Sequence, residues 1–318
     1  MPSARPSLPV LVLALTLAAP GNARRAPEPA PLPPLVLPGA APQISVRIAG
    51  QPAVLTVDFG GDPLVQLNPA AAARLQLAMS GRDQFRVAVG RVSAAVPFSR
   101  ETLDIAGRTA VDVRVLTPAA PPPGQAAGSD GVIGLGLLPH AAVLLRFRAA
   151  TAQDRAASVP ARADGSSGSM AFAWTLAGQG RIEVELHNLR PASAASVAAA
   201  SRIADAGDGR LSGPVRRVEI GFGVARPVRR LVLARPLAIA GVMLRDVDVR
   251  LFDWAGKAQL PPDADGAGGA VVTARRGRQR GWPILKLGSD VLSVCASIGW
   301  QRDPGERQRG RFELHCPA

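Results

Sequence analysis

Short β-like runs separated by glycine, proline and aspartate fill most of this chain, and they restrict its fold more than any other feature. From about Gln43 the runs are QISVRIAG, AVLTVDF, FRVAVGRVSAAVPF, TLDIAG and AVDVRVLT. Runs of this length between turn-forming residues are typical of β-strands. In this half only NPAAAARLQL favours a helix, with Asn68 as its N-cap and Pro69 in its first turn. The pattern predicts a mostly β fold with short helices.

The second half of the chain carries a similar pattern. PASAASVAAASRI at 191–203 parallels PLVQLNPAAAARL at 63–75, and WPILKLGSDVL parallels GVIGLGLLP. Two copies of one β unit would pack about a pseudo-two-fold axis and leave a cleft between them. We therefore predict an N-terminal lobe at 42–150 and a C-terminal lobe at 171–318, joined by a polar linker at 151–170.

The first residues favour export. Arg5, an apolar run and small residues near Ala23 are typical of a signal peptide over 1–23, with an uncleaved anchor as the alternative. Residues 24–41 are rich in proline and alanine, so we expect an extended leader without regular elements. The prediction is a secreted or periplasmic protein.

Export changes the interpretation of the two cysteines. Cys295 and Cys316 lie on the arms of a predicted C-terminal hairpin, LSVCASI and RFELHC, and an oxidising compartment would let them form a disulfide. The three histidines are isolated in sequence and no Cys-x-x-Cys occurs, so we predict no metal site and no cofactor.

The formal charge of +13 comes almost entirely from arginine, since Lys257 and Lys286 are the only lysines. The arginines are scattered, the basic runs lie in predicted loops, and the chain has no tyrosine. This pattern does not favour nucleic-acid binding, although weak contact with anionic lipid or polysaccharide stays open.

The triplet Asp58-Phe59-Gly60 invites comparison with a kinase, but its context excludes that class. A kinase needs a glycine-rich loop, a lysine strand and a catalytic loop upstream of this triplet, and none precedes it here. A dinucleotide fingerprint at Gly134 and Gly136 is disfavoured because Pro139 replaces its third glycine. No Gly-x-Ser-x-Gly elbow is present, which disfavours a serine hydrolase.

The strand ending TVDFGG, the segment LVQLNPAAAARLQL and the later DGVIGLG occur in an order that resembles a lobe of the pepsin and retropepsin superfamily of aspartic proteases. The resemblance covers nearly all of 43–316 and is closest to exported, two-lobed bacterial members with degenerate motifs. It implies two pseudo-symmetric, six-stranded-barrel-like acid-protease lobes that bind a peptide or protein. Asp58 would be catalytic, and the residues near the substrate would be Gly60, Gly61, Gly90 in a flap at 87–98, and His187.

The sequence departs from this family at the site itself. Phe59 stands where the family carries Thr or Ser, whose hydroxyl ties the two catalytic loops together. Alignment of the two halves puts Leu186 or His187 opposite Asp58, so the second acid is missing. The absence of tyrosine disfavours close kinship with pepsin.

Three nearby acids do not restore the pair in the sequence analysis. Glu183 and Glu185 share the strand face opposite Leu186, and Asp62 is expected to be a solvated turn residue. A homodimer of Asp58 loops could restore a pair, but the second half of the chain should occupy that surface, and the oligomeric state stays open.

Three function classes follow from these departures. The first is an active aspartic endopeptidase of the cell envelope. The second, on the same fold, binds peptide or polymer without cutting it. The third is a structural protein that recruits partners through arginine-rich loops. Two carboxylates are needed to share one proton in the family's chemistry, so impaired catalysis is the expectation.

Overall fold

The computed structural model describes residues 30–39, 41–79, 84–89, 92–163, 168–251, 283–306 and 308–317, with the backbone alone at 87–89 and 92–94. Pro31–Ala318 form one compact unit. The predicted signal peptide and Gly90 lie outside the described residues. Within the described ranges, no helix has both the length and the apolar character needed to cross a membrane.

Nineteen strands are described, and they confirm the predicted mostly β fold with barrel-like lobes and short helices. Those of the first half are β1 Leu35–Pro38, β2 Gln43–Ile48, β3 Gln51–Asp58, β4 Val65–Leu67, β5 Gln84–Val89, β6 Val92–Ile105, β7 Arg108–Leu116, β8 Gly131–Gly134 and β9 Ala142–Arg146. Those of the second half are β10 Asp154–Ala163, β11 Met170–Leu176, β12 Gly180–Leu186, β13 Ala194–Ala195, β14 Gly209–Gly221, β15 Val224–Ile239, β16 Val242–Arg250, β17 Ile284–Leu287, β18 Ser297–Arg302 and β19 Arg309–Pro317.

The first half closes into a six-stranded barrel. Its strands are hydrogen-bonded in the order β2-β3-β8-β4-β7-β6, and β6 pairs back onto β2. β5 extends this sheet as a hairpin with β6. The barrel interior is filled by apolar side chains that alternate along the strands, such as Leu55, Val57, Ile133 and Val115, all with zero exposure.

The second half arranges seven strands in the same order. The series β11-β12-β17-β13-β16-β15-β14 matches β2-β3-β8-β4-β7-β6-β5 strand for strand, and each adjacent pair has the same parallel or antiparallel sense. The sets differ at one edge, because β11 pairs with β10 where β2 pairs with β6. β10 continues through β19, β18 and β9 to β1, which makes one twelve-stranded sheet.

Two stretches expected to lack regular elements contain strands. β1 lies inside the predicted leader and pairs in parallel with β9, because the apolar LVLP can bury Leu37 on the sheet. β10 lies inside the predicted linker and is hydrogen-bonded to β19 on one side and β11 on the other. Its polar sequence did not predict a strand, because one of the two strands that pair with it, β19, lies far away along the chain.

Three α-helices are described: α1 Pro69–Arg74, α2 Val197–Gly207 and α3 Ser289–Leu292. Ser196 caps α2 by accepting a hydrogen bond from the Ala199 N–H. Asn68 is the N-cap residue of α1, as predicted, but its side chain makes no cap hydrogen bond. Its amide instead donates to the carbonyl of Ser129 at 3.1 Å, in the loop before β8.

The predicted C-terminal hairpin and its disulfide are confirmed. β18 and β19 pair antiparallel, and Cys295 is bonded to Cys316 across the open end of the hairpin. Both cysteines are buried, Cys316 within β19 and Cys295 just before β18.

Candidate functional site

Asp58 and His187 take corresponding places in the two matching strand sets. Val57 on β3 is paired with Ile133 on the parallel strand β8, and Leu186 on β12 is paired with Leu287 on the parallel strand β17. Glycines follow both partners, and a Cβ on either Gly134 or Gly288 would collide with the loop backbone beyond β3 or β12. Asp58 follows Val57 just as His187 follows Leu186. Of the two residues that the sequence left opposite Asp58, the structure selects His187.

The two side chains face each other at the base of a cleft. His187 Nδ1 lies 3.4 Å from Asp58 Oδ2, while the other carboxylate oxygen of Asp58 accepts a hydrogen bond from the Gly60 N–H at 3.1 Å. The imidazole covers Gly60 so closely that a Cβ there would lie 2.5 Å from ring carbons. Only glycine at position 60 allows this approach.

The other ring nitrogen of His187 is held by a second carboxylate. His187 Nε2 lies 2.8 Å from Glu185 Oε2, and Lys286 Nζ on β17 lies 2.9 Å from the same oxygen. Burial raises the pKa of the Glu185 carboxyl, but the charge of Lys286 and the hydrogen bond from His187 lower it more, and the resulting pKa is about 2. Glu185 is therefore ionised at physiological pH.

Glu185 determines the state of one ring nitrogen of His187. Because Glu185 is an ionised acceptor, His187 Nε2 is its N–H donor. His187 Nδ1 faces Asp58 Oδ2 at 3.4 Å, so both ring nitrogens face protein carboxylates.

Asn188 ties the two loops together. Its Oδ1 accepts a hydrogen bond from the Phe59 N–H at 2.9 Å, and its Nδ2 donates to the Val57 carbonyl at 3.0 Å. These bonds reach the residues on both sides of Asp58 from a loop that is 129 positions away. Phe59 has no hydroxyl that could link the two loops. The side-chain amide of Asn188, from the opposite loop, makes this link instead.

Phe59 anchors the Asp58 loop in the core. Its ring is fully buried and points into the core, where it stacks on Phe312 of β19 with 6.5 Å between ring centroids. Phe312 also contacts Phe172 and Trp300. The Asp58 loop is therefore anchored from below by an aromatic cluster and from the side by Asn188.

The expectation of a solvated Asp62 is wrong. Asp62 lines the cleft and accepts a hydrogen bond from the Ser169 hydroxyl at 2.6 Å. Burial raises the pKa of Asp62, although the Ser169 hydrogen bond opposes that shift. The residue loses solvent because Ser169, in the predicted linker, folds over the turn that carries it.

A long hairpin of the second half forms one wall of the cleft. β14 and β15 meet at a two-residue turn, Phe222-Gly223, in which both residues have positive φ angles of 54° and 76°. A left-handed phenylalanine is uncommon. Its ring packs against a small apolar cluster of the barrel formed by Leu64, Val96 and Leu116. The tip of this hairpin, which belongs to the second half of the chain, thus contacts the barrel of the first half.

The cleft beneath this hairpin encloses about 100 Å³. Asp58, Gly60, Gly61 and His187, four of the residues predicted from the sequence, are brought together in its lining. The predicted flap strands pair as β5 and β6, but Gly90 lies outside the described residues. In the described part of the chain, no three His, Cys, Asp or Glu side chains are arranged to hold a metal ion.

Three residues that contribute to this site were not predicted from the sequence. Lys286 offered a signal, being one of two lysines in the chain and placed in the apolar run WPILKLG. Asn188 and Arg190 offered no such signal, because an asparagine or an arginine after a strand is an ordinary turn residue. Arg190 also lines the cleft.

Comparisons with known proteins give little beyond this geometry. No protein-family model matches the chain, and no curated protein matches it. Among solved structures, the EIAV protease complexed with the inhibitor HBY-793 is 23% identical, and the match covers 30% of this chain and 81% of that protease with a TM-score of 0.22. A TM-score this low carries no argument about the function of the chain.

The Asn188 tie can be tested by removal. Asn188→Ala leaves the Phe59 N–H and the Val57 carbonyl unpaired in a buried place, so we expect the free energy of unfolding to fall by about 2 to 4 kcal/mol in urea titrations. The Phe59 amide should also exchange its hydrogen faster. The control is Asn68→Ala, which removes a bond within the barrel and should leave Phe59 exchange unchanged. Equal exchange at Phe59 in both variants would contradict the tie.

The Glu185 ion pair predicts a pH dependence of stability. The pKa of this carboxyl falls from 4.5 in the unfolded chain to about 2 in the folded protein, so its contribution is full above pH 4.5 and is lost as the pH falls toward 2. We expect the difference in unfolding free energy between wild type and Glu185→Gln to shrink over this interval. The raised pKa of Asp62 acts with the opposite sign, and because the charge of Glu185 contributes to that shift, it cancels only in part in the difference.

The matched control for this titration is Glu313→Gln, which makes the same substitution on β19 outside the cleft lining. Between pH 4.5 and 2, the Glu185→Gln difference should change more than the Glu313→Gln difference. Equal changes in the two variants would show that Lys286 and His187 do not hold the Glu185 carboxylate as described.

Proposed function

We propose that this protein is an exported, aspartic-protease-like protein that binds extended peptides in the cleft above Asp58 and His187, and whose peptide-bond hydrolysis is lost or strongly impaired. One observation carries the proposal: both ring nitrogens of His187, the residue opposite Asp58, are engaged by protein carboxylates.

Peptide hydrolysis by an acid pair needs two groups with different tasks. An ionised carboxylate activates a water molecule, while a neutral acid donates a hydrogen bond to the scissile carbonyl. Here His187 replaces the second acid, and its two N–H positions face Glu185 and Asp58. No donor of the pair is left for a substrate carbonyl.

The other task is weakened as well. Asp58 Oδ1 accepts a hydrogen bond from the Gly60 N–H, and Oδ2 faces His187 Nδ1. Both carboxylate oxygens that would activate a water molecule therefore already have protein partners.

Binding does not require these tasks. The matching strand order of the two halves supports a cleft between two lobes, and the β14–β15 hairpin borders it with Ile220, Gly221 and Phe222. An extended peptide can use such walls through backbone hydrogen bonds and side-chain pockets. The disulfide and the sequence of 1–23 support export to an oxidising compartment.

A labelled peptide library separates binding from cleavage. We expect the wild-type protein to bind a subset of library peptides in fluorescence anisotropy and to release no fragments at acidic or neutral pH. Asp58→Asn should bind comparably and also release none. Wild-type cleavage that Asp58→Asn abolishes would overturn the proposed loss of hydrolysis, and the absence of any binding would overturn the proposed cleft function.

The His187→Asp variant tests whether the imidazole of His187 prevents peptide-bond hydrolysis. This variant puts a carboxylate opposite Asp58 and frees a second acid group for the substrate carbonyl. We expect slow cleavage at acidic pH that is lost again in the double variant with Asp58→Asn. A folded His187→Asp protein that binds peptides and never cleaves them would contradict the role assigned to His187.

A further inference from the structure

We propose that Arg190 forms a carboxylate-binding subsite beside Asp58, so that the cleft selects peptides that carry an acidic side chain or a free C-terminal carboxylate at that position. This inference deepens the proposed function and rests on it.

Arg190 is held at the wall of the cleft by its own backbone. Its N–H donates to the His187 carbonyl at 3.2 Å, and its carbonyl accepts from the Ser289 N–H at 2.7 Å. The side chain then reaches the tip of the β14–β15 hairpin, where Nη2 donates to the Ile220 carbonyl. The guanidinium is thereby fixed between the hairpin tip and Asp58, and it lines the cleft.

Most of the donors of this guanidinium are left over for a ligand. An arginine has five N–H donors, and in the described part of the chain the side chain of Arg190 bonds to one neutral carbonyl and to no carboxylate. Two other half-buried arginines are ion-paired, Arg148 with Asp154 and Arg230 with Asp246. The planar fork that remains matches a carboxylate in bidentate fashion.

The electrostatic surroundings favour an anion at this place. Burial lowers the pKa of Arg190, and the charge of Asp58 is the largest effect that opposes this shift. Arg250 lowers the pKa further, whereas Glu185 and Glu219 raise it. An arginine nevertheless stays charged in proteins, and its partial desolvation is unfavourable without a directly bonded anion. Lys286 is already neutralised by Glu185.

The test compares peptides that differ only in one charge. Labelled peptides from the bound subset are made with Glu or with Gln inside an amidated sequence, and with a free or an amidated C-terminus on a neutral sequence. Anisotropy at neutral pH should show that wild type binds one carboxylate series about tenfold more tightly than its amide counterpart. The series that responds identifies whether the carboxylate belongs to a side chain or to a C-terminus.

Variants assign the preference to Arg190. Arg190→Gln should bind the acidic and amide peptides equally while keeping its affinity for the neutral peptide, and Arg190→Lys should keep part of the preference. The control is Arg155→Gln, which makes the same charge change at an exposed arginine of β10 whose described hydrogen bond is also to a backbone carbonyl. It should behave as wild type.

The outcomes separate this inference from the function beneath it. If wild type binds peptides but does not distinguish carboxylate from amide in either series, the subsite is overturned and the cleft function stands. If Arg155→Gln loses the preference as fully as Arg190→Gln, the effect is one of overall charge and the subsite is overturned. If wild type binds no peptide, the proposed function fails first.

Discussion

The bonding of Asn188 to the backbone on both sides of Asp58 is the interaction on which the rest of the site depends. One side-chain amide satisfies the Phe59 N–H and the Val57 carbonyl, so it fixes the position of Asp58 relative to the loop that follows β12. A buried backbone group without a partner is costly, and this makes the separation of the two loops unfavourable. The aromatic contact of Phe59 with Phe312 holds the same loop from the core side. His187 can meet Asp58 because both loops are held in this way.

The meeting of Asp58 and His187 determines the chemistry that the cleft retains. A second carboxylate would have left one acid group for a substrate, but an imidazole has two nitrogens and the protein uses both. Lys286 contributes by keeping Glu185 ionised, which commits one nitrogen permanently. The base of the cleft thus holds an aspartate and an imidazole whose two ring nitrogens both face protein carboxylates.

The sequence predicted strands and helices well where the pattern that defines them spans only a few residues. The runs that became β2, β3, β6 and β7 alternate in polarity, and the C-terminal hairpin places its cysteines at matching positions. Predictions failed where stability comes from distant partners. β10 is polar and was taken for a linker, yet it lies between β11 and β19 in the large sheet. Asp62 was expected in solvent and is covered by Ser169, 107 residues later in the chain.

By itself, the sequence determined that the chain is mostly β, that two similar units follow one another, and that a strand delivers Asp58 into a glycine turn. These properties depend on side-chain periodicity and backbone freedom over short distances. Only the tertiary structure decided what stands opposite Asp58, because the register of β12 against β17 selects His187 over Leu186. It also decided that Asn188 would bridge the loops and that Lys286 would ionise Glu185. Each of these contacts joins segments whose separation along the chain leaves no local pattern, so strand pairing had to bring them together first.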